Sequence, residues 1–556
     1  MAFDGIVTKA LVSDFKNKLI GARVNKILEP SKFEIIFNLY NKTNYSLDIC
    51  IHPEYYRMCF TNHSKPNPTN ALNFCMLLRK YLTSSKITNI ESVDLDRIIY
   101  IDFQGNNELK DVLNFRLVIE LMGRRSNIIL LNDKGFIIDS IKHIVTADRE
   151  ILPARFYVSP KSSKKSFLEI SCFDEFYSII SSRSYDNLSS YLSDTFTGFT
   201  NLFIDNILDE LNIDSDSHDI HELEEVYNYI KNIISNFGSD NICLRNIKDD
   251  YTITLGTSET SLSDFLDNYY FEKENTDIFL SAKSELSKAV LSGLKKASKK
   301  LENINHKLQA CDNMDKYKLY GELLTANLYK YHSPLAESKI TVENYYDNNN
   351  LIEIPLDTSI SYSKNAERFY KKYNKLKNTL QVVTIQKKET ELELEYIESI
   401  IYSISNAKTT QDIEEIHNEF SENVLMKKYN LKSFQKVNPD KNLSNNLKKI
   451  VINNYDVYIG KNNKQNDYLT FHLADKFDLW FHAQGFHGAH VILKTLGKTP
   501  DDDTIFKCAV LAKQNCKASL EKNVSVDYTY IKYVKRHHLG KTGMVNYTNY
   551  KTIIVP

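Results

Sequence analysis

The spacing of apolar positions changes several times along the chain, and each change marks a new element. After Asp4, residues Ile6, Leu11, Phe15 and Leu19 recur at helical spacing and predict a helix closing at Gly21. Alternating runs at 23–28, 33–40 and 46–51 predict strands. The helical period returns at 70–82, with Leu72, Cys75, Met76 and Leu78 apolar and Arg79 and Lys80 outward. Strands resume at 98–103, 115–121 and 126–131, so the opening of the chain predicts an α+β domain rich in antiparallel strands. Short helices are expected at 173–182, 185–193, 201–212 and 222–235, then one strand-like segment at 242–255.

Longer periodicities follow. Val290, Leu294, Ala297, Leu301, Ile304, Leu308 and Cys311 form a heptad seam in a helix expected to begin near Ala282, and Leu380, Val383, Lys387, Thr390, Leu394, Ile397, Ile401 and Ile404 form a second. The simplest pairing is a long antiparallel coiled-coil hairpin with residues 340–363 at its tip. Further on, Gly460-Lys-Asn-Asn-Lys-Gln-Asn-Asp467 is polar after its glycine, and 468–473 alternates like a strand. Together they read as a loop of donors in front of a sheet.

Length and charge narrow the picture. A chain of 556 residues holds roughly three or four domains. Its net charge of −1 announces no nucleic-acid binder, so such a reading must rest on local patches. The eight cysteines form no C-x-x-C pair and read as buried reduced thiols. The start, Met1-Ala-Phe-Asp4, lacks a basic then apolar leader, and no apolar run approaches a membrane span, so neither export nor a membrane partner is expected.

Candidate chemistry lies in a few stretches. Asp96-Arg97 precedes the strand at 98, where a guanidinium held by a carboxylate can be aimed at phosphate or ribose; a plain surface ion pair looks the same. Glu120-Leu-Met-Gly-Arg-Arg-Ser-Asn127 crowds Arg124, Arg125, Ser126 and Asn127 into a glycine turn, as an anion-binding loop requires. Phe196-Thr-Gly-Phe-Thr200 reads as a turn between helices whose amides can meet a phosphate. Lys371, Lys372 and Lys375, interleaved with Phe369, Tyr370 and Tyr373, suit an RNA backbone or equally a solvated helix face. Lys461, Asn462, Asn463, Lys464, Gln465 and Asn466 beside aromatic rings are the donors that unpaired RNA needs. The sole tryptophan, Trp480, and Phe481 also read as core. Histidines 472, 482, 487 and 490 match no metal-ligand spacing, and no cofactor motif, Walker loop or nucleophile elbow is present.

MAFDG, ELMGRRSN, YGELLTANLY, NAERFYKKYNKLK, GKNNKQNDYLT, DLWFHAQGFHGAHV, VDYT and KTGMVNY, in this order, resemble the NFACT proteins, the RqcH and NEMF group once called fibronectin-binding protein A-like. The resemblance covers the whole chain and implies a multidomain α+β architecture. Its parts would be an NFACT-N α+β domain at 1–165, a helix-hairpin-helix region at 166–280, a coiled-coil M domain at 281–440 and an α+β NFACT-R RNA-binding domain at 441–556. It further implies a cytoplasmic factor on a large (50S) ribosomal subunit that still carries peptidyl-tRNA. Such a factor contacts ribosomal RNA, recruits a charged tRNA, alanyl in the bacterial branch, and supports template-free tailing of the stalled chain, with a small RqcP-type helper protein as a further partner. Asp96 and Arg97 match the family's functional pair, and Asp4 matches another acidic position; Arg124, Arg125 and Asn127 join them as expected tRNA contacts.

Departures accompany the match. Gln484 and Gly485 stand where relatives carry Lys-Asp, His487 replaces a proline, and Thr542 stands where proline is common. The N-terminal fold also resembles formamidopyrimidine-type DNA glycosylases, but Ala2 and Phe3 occupy the places of their proline nucleophile and glutamate. The chain therefore reads as a positioning factor rather than an enzyme, peptide bonds being made by the ribosome. The older family label implies a surface adhesin for matrix proteins instead, which the missing leader disfavours.

Overall fold

The computed structural model describes residues 3–106, 111–331, 337–422, 447–537 and 541–556. Ala2, in the glycosylase nucleophile position, and the expected boundary at 440/441 lie outside the described residues. The chain divides into two compact units, Met1–Asn275 and Thr276–Pro556.

The first unit is organised by a nine-stranded antiparallel sheet. From one edge its order is Arg57–Phe60, Thr43–Cys50, Glu34–Asn41, Arg23–Ser31, Lys86–Ser92, Ile98–Asn106, Val112–Glu120, Asn127–Asn132 and Ile137–Ser140. Side chains on a strand alternate between faces. Accordingly Ile99, Ile101 and Phe103 enter the main core with helix Gly5–Leu19, whereas Ile98 joins Val118, Ile129 and Leu131 in a smaller cluster. Four helices, Phe173–Ile180, Leu188–Thr195, Asn201–Leu211 and Ile220–Ser235, share that main core through Phe176, Leu192, Phe203 and Ile230. The segment expected as one strand is a hairpin, Ile242–Ile247 with Asp250–Leu255, because Lys248 turns the chain at a left-handed φ of 55°. Cys172 is exposed, against the expectation of uniformly buried thiols.

The first long helix starts at Leu262, not near Ala282, and runs to Cys311. Its opening turns present Leu266 and Tyr270 to the first unit's core, a face the heptad seam does not contain. Those turns also protect the sheet edge, since the Phe60 N–H donates to Ser263 Oγ at 2.6 Å and the Asn62 N–H to Asp267 Oδ2 at 2.9 Å.

In the second unit the other long helix, Tyr362–Asn406, begins well before the expected seam at Leu380. Lys283 meets the Ser405 carbonyl, Lys300 the Glu393 carboxylate, and Cys311 the Leu376 carbonyl, so the two helices contact in opposite chain directions. Leu286, Val290 and Ala297 share a core with Ile397, Ile400 and Ile404. Strands Lys339–Asn344 and Asn350–Pro355 pair as a hairpin between them in sequence. A six-stranded sheet contains Leu479–Ala483 and Val524–Tyr530 as neighbours. It packs Phe481 against helix Asp502–Gln514 on one face, while Trp480, fully buried, joins Leu469 and Ile492 on the other.

The expected strand at 468–473 is helical: Asn463–Tyr468 is an α-helix continued by a wider turn through Leu473. Asn462 explains the outcome, because its side chain accepts the Gln465 N–H at 2.8 Å and caps the helix.

Candidate nucleic-acid interface

Three segments of the first unit converge at the start of helix Gly5–Leu19. Asp4 caps that helix, accepting the Val7 N–H at 2.9 Å and the Thr200 hydroxyl at 3.1 Å. The Gly5 N–H donates to the Gly198 carbonyl at 3.2 Å. A Cβ on Gly5 would lie 1.7 Å from the Leu95 carbonyl oxygen, so only glycine admits this crossing. Asp4 is buried, and burial pushes its carboxyl up to about 6 against the opposing influence of the Val7 amide, the Thr200 hydroxyl and the Arg97 charge.

Arg97 is half-buried just before strand Ile98–Asn106, and its charge bears on the nearby Tyr56 phenol. The expected Asp96–Arg97 pairing is different in kind: Asp96 Oδ1 accepts the Arg97 main-chain N–H at 2.7 Å. A carboxylate adjacent in sequence reaches the neighbouring main-chain amide more readily than the far end of a long side chain. The Arg97 charge in turn acts on the Asp4 carboxyl, against its burial. Beside it, Asp96 lines a cavity of about 700 Å³ with Asp94, Lys164, Lys165, Ser166 and Glu175. Sequence reasoning missed Tyr56 and these two lysines, and read the turn ending at Thr200 as phosphate-meeting where Thr200 instead bonds Asp4; the K-S-S-K-K-S run at 161–166 was the legible signal for the lysines.

The glycine turn forms as expected, with Gly123 at φ 60° and Arg124 and Arg125 exposed on a 3-10 turn. Its other polar groups serve the fold. Ser126 Oγ accepts the Met122 N–H, and the Asn127 amide donates to the Lys142 carbonyl at 2.8 Å while accepting the Ile128 and Lys142 N–H groups. Glu120 is buried against Arg149 and the Tyr157 hydroxyl.

The polar stretch at 461–466 is not a solvent-facing loop. Asn462, Asn463, Gln465 and Asn466 are buried, and their amides are used inside the unit. Glu415 accepts from Asn462 at 2.9 Å and from Gln465 at 2.8 Å; Glu419 accepts from Asn463 at 3.0 Å and from the Tyr396 hydroxyl at 2.9 Å. Asp412 pairs with Lys461 at 3.4 Å. Asp412, Glu415 and Glu419 fall on one face of helix Thr410–Glu422, so a row of carboxylates meets a row of amides at the N-terminal end of helix Asn463–Tyr468. Burial pushes the Glu419 carboxyl up to about 7. Lys371, Lys372 and Lys375 are exposed on helix Tyr362–Asn406, Lys371 pairing with Glu367 and Lys372 lying 4.0 Å above the Tyr317 ring.

Glu34, Cys50 and Glu274 bring potential metal ligands together, but Arg57 and Lys65 already neutralise the two carboxylates. Among the described residues no helix is long and apolar enough to cross a membrane.

Comparison with known proteins agrees along the whole chain. Residues 4–438 match the model for NFACT N-terminal and middle domains, and residues 449–549 that for the NFACT protein RNA binding domain. The protein called Rqc2 homolog RqcH from Bacillus subtilis is 32% identical, with 100% of this chain and 98% of the relative covered. Its namesake from Streptococcus pneumoniae is 30% identical over 100% and 98%. Among solved structures, the N-terminal part of a fibronectin/fibrinogen-binding protein from Streptococcus suis covers 49% of this chain and 100% of its own, at 26% identity and a TM-score of 0.40. The C-terminal part of that protein covers 50% and 94%, at 28% identity and a TM-score of 0.38.

Proposed function

The chain belongs to the NFACT family, and from that premise we propose that it is a ribosome-associated quality-control factor, acting by RNA binding rather than by chemistry of its own. The observation that carries the reading is full-length similarity to proteins named RqcH, including the RNA binding domain. In the finer form of the proposal, the factor engages a large ribosomal subunit carrying peptidyl-tRNA and recruits alanyl-tRNA for template-free tailing of the nascent chain. A helper protein of the RqcP type assists it.

Asp96, Arg97 and Asp4 are the proposed tRNA-recruiting residues, with Arg124 and Arg125 adding exposed positive charge. Arg97 supports this role physically: it lies near the Asp4 carboxylate yet is only half-buried, so a second partner can reach its guanidinium. The exposed lysines of helix Tyr362–Asn406 extend the RNA surface. The 281–440 segment acts in this proposal as the M-domain arm and the 441–556 segment as the NFACT-R domain.

The test is affinity purification of the tagged chain from lysate in low salt, followed by RNA sequencing. Large-subunit RNA and a dominant alanine tRNA are expected. Their absence, with matrix proteins bound instead, would replace the proposal by the adhesin reading.

A further inference from the structure

The second unit contains a cleft of about 1150 Å³, and several late stretches of the sequence meet there. Its lining includes Asn463, His482, Phe486, His487, His490 and Tyr547. Asn466 fixes one wall by accepting the His490 N–H at 2.9 Å and donating to the Gly488 carbonyl at 3.1 Å. Thr470 Oγ1 lies 2.8 Å from His490 Nδ1. Tyr547 is set by its hydroxyl, which donates to Asp527 at 2.8 Å. Gly543 closes on Asn463 so tightly that a Cβ there would sit 2.7 Å from the Asn463 Cβ.

His482 stands out within this frame. Its ring stacks on Trp480 at 5.6 Å and 15°, and meets His490 edge-on at 5.4 Å and 89°. Among the described residues its ring makes no hydrogen bond, although Asn466, Thr470, Asp527 and His490 around it are all engaged. Burial and the neighbouring His487 push its pKa down to about 4, and burial also lowers that of His490, so both rings are neutral near pH 7. A neutral imidazole offers one donor and one acceptor. The cleft thus presents a donor and acceptor pair between aromatic walls, with Lys408, Lys448 and Lys461 also lining it. His487 lies 3.6 Å from the Glu398 carboxylate, which disfavours a free phosphate lodged at depth.

We propose that this cleft binds a nucleobase, stacked against its aromatic walls and read by His482, with the lysines meeting the attached phosphates. A base needs a flat slot and mixed donors and acceptors on its edge, and an unpaired RNA strand or a free nucleotide can supply one. The volume slightly exceeds the roughly 300–1,000 Å³ usual for small-molecule sites, enough for a base with its ribose and a neighbour. The proposal rests on the RNA-binding reading of this family and places base recognition in a cleft rather than on exposed surface lysines alone.

Trp480 is the chain's only tryptophan, so its emission reports on His482 directly. The full chain is titrated with AMP, GMP, CMP and UMP, with ribose 5-phosphate and inorganic phosphate as controls, and with short single-stranded and duplex RNA as competitors. A saturable emission change with at least one nucleotide and neither control supports the proposal. Competition by single-stranded RNA then assigns the base to a strand, and its absence to a free nucleotide. His482→Phe should weaken the response by about tenfold, and His482→Gln, which keeps a donor and an acceptor, should recover part of it. Phe486→Ala, at the half-buried wall, gives an independent check should the phenylalanine variant fold poorly. No change with any nucleotide or RNA, or the same change with phosphate alone, overturns the slot. If large-subunit RNA still co-purifies in that case, only the slot falls; a nucleotide response without such RNA removes the ribosomal reading and leaves the slot standing.

Discussion

Thr200 donates its hydroxyl to Asp4 across 3.1 Å, and each of the two residues also caps its own helix. The Asp4 carboxylate accepts the Val7 N–H, while Thr200 Oγ1 accepts the Phe203 N–H at 3.3 Å. A single bond therefore joins the N-terminal ends of helices Gly5–Leu19 and Asn201–Leu211 and holds an acid out of water near Arg97.

That burial sets a pH dependence. The unfolded carboxyl releases its proton near 3.8 and the folded one near 6, so between these values the folded chain binds more protons and stability falls as pH rises. Asp4→Asn keeps an N-cap and removes this loss. Its stability relative to the parent should increase through that window and then level off, by about 1–3 kcal/mol at pH 7. Denaturant unfolding at pH 4.5 and 7.5 checks the sign, and equal differences at both values would refute it.

Asp96→Ala with Arg97→Ala should abolish tRNA recruitment and nascent-chain tailing while large-subunit binding persists. Arg97→Lys should also fail, because a single ammonium cannot reproduce the planar fork of a guanidinium. Tailing measured on purified subunits decides the matter, and normal tailing by the double variant would remove the site assignment.

Gly198→Ala tests the crossing beneath Asp4. The residue has φ 85°, and a Cβ would lie 2.1 Å from the Leu95 carbonyl oxygen. Backbone cannot yield as a flexible side chain does, so a loss of about 3 kcal/mol or more is expected. Gly485→Ala, with φ 75° but open space around it, should cost about 1 kcal/mol. Chemical denaturation of both variants compares them.

Glu415→Ala strips the partner from two buried amides, those of Asn462 and Gln465. Each buried group left unpaired costs about 1–3 kcal/mol, so hydrogen exchange should accelerate around residues 462–466. Lys371→Ala breaks an exposed pair with Glu367 and should change stability by less than about 0.5 kcal/mol. Similar exchange in the two variants would show that the amide row does not depend on its carboxylates.

Periodicity carried much of the fold. The apolar stripe of Gly5–Leu19, the central strands and the buried positions Val290, Ala297, Ile304, Ile397 and Ile404 all follow from spacing, because an element must turn its apolar face toward a core wherever that core lies. Polar residues misled where their partners were remote. The Asn-Gln run looked like a solvated loop because an amide has the same letter whether it bonds water or Glu415, 50 residues away for Gln465.

The sequence by itself determined the family, the helices and strands with clear periods, and the presence of Asp4, Asp96 and Arg97 as separate charged positions. Only the tertiary structure decided that Asp4 comes within reach of the Arg97 charge while Asp96 turns to the Arg97 main-chain N–H, that Thr200 completes the Asp4 site, and that His482 faces a cleft. The reason is range: local spacing reports which side of an element is apolar, whereas a hydrogen bond spanning 196 residues exists only once the chain has crossed itself.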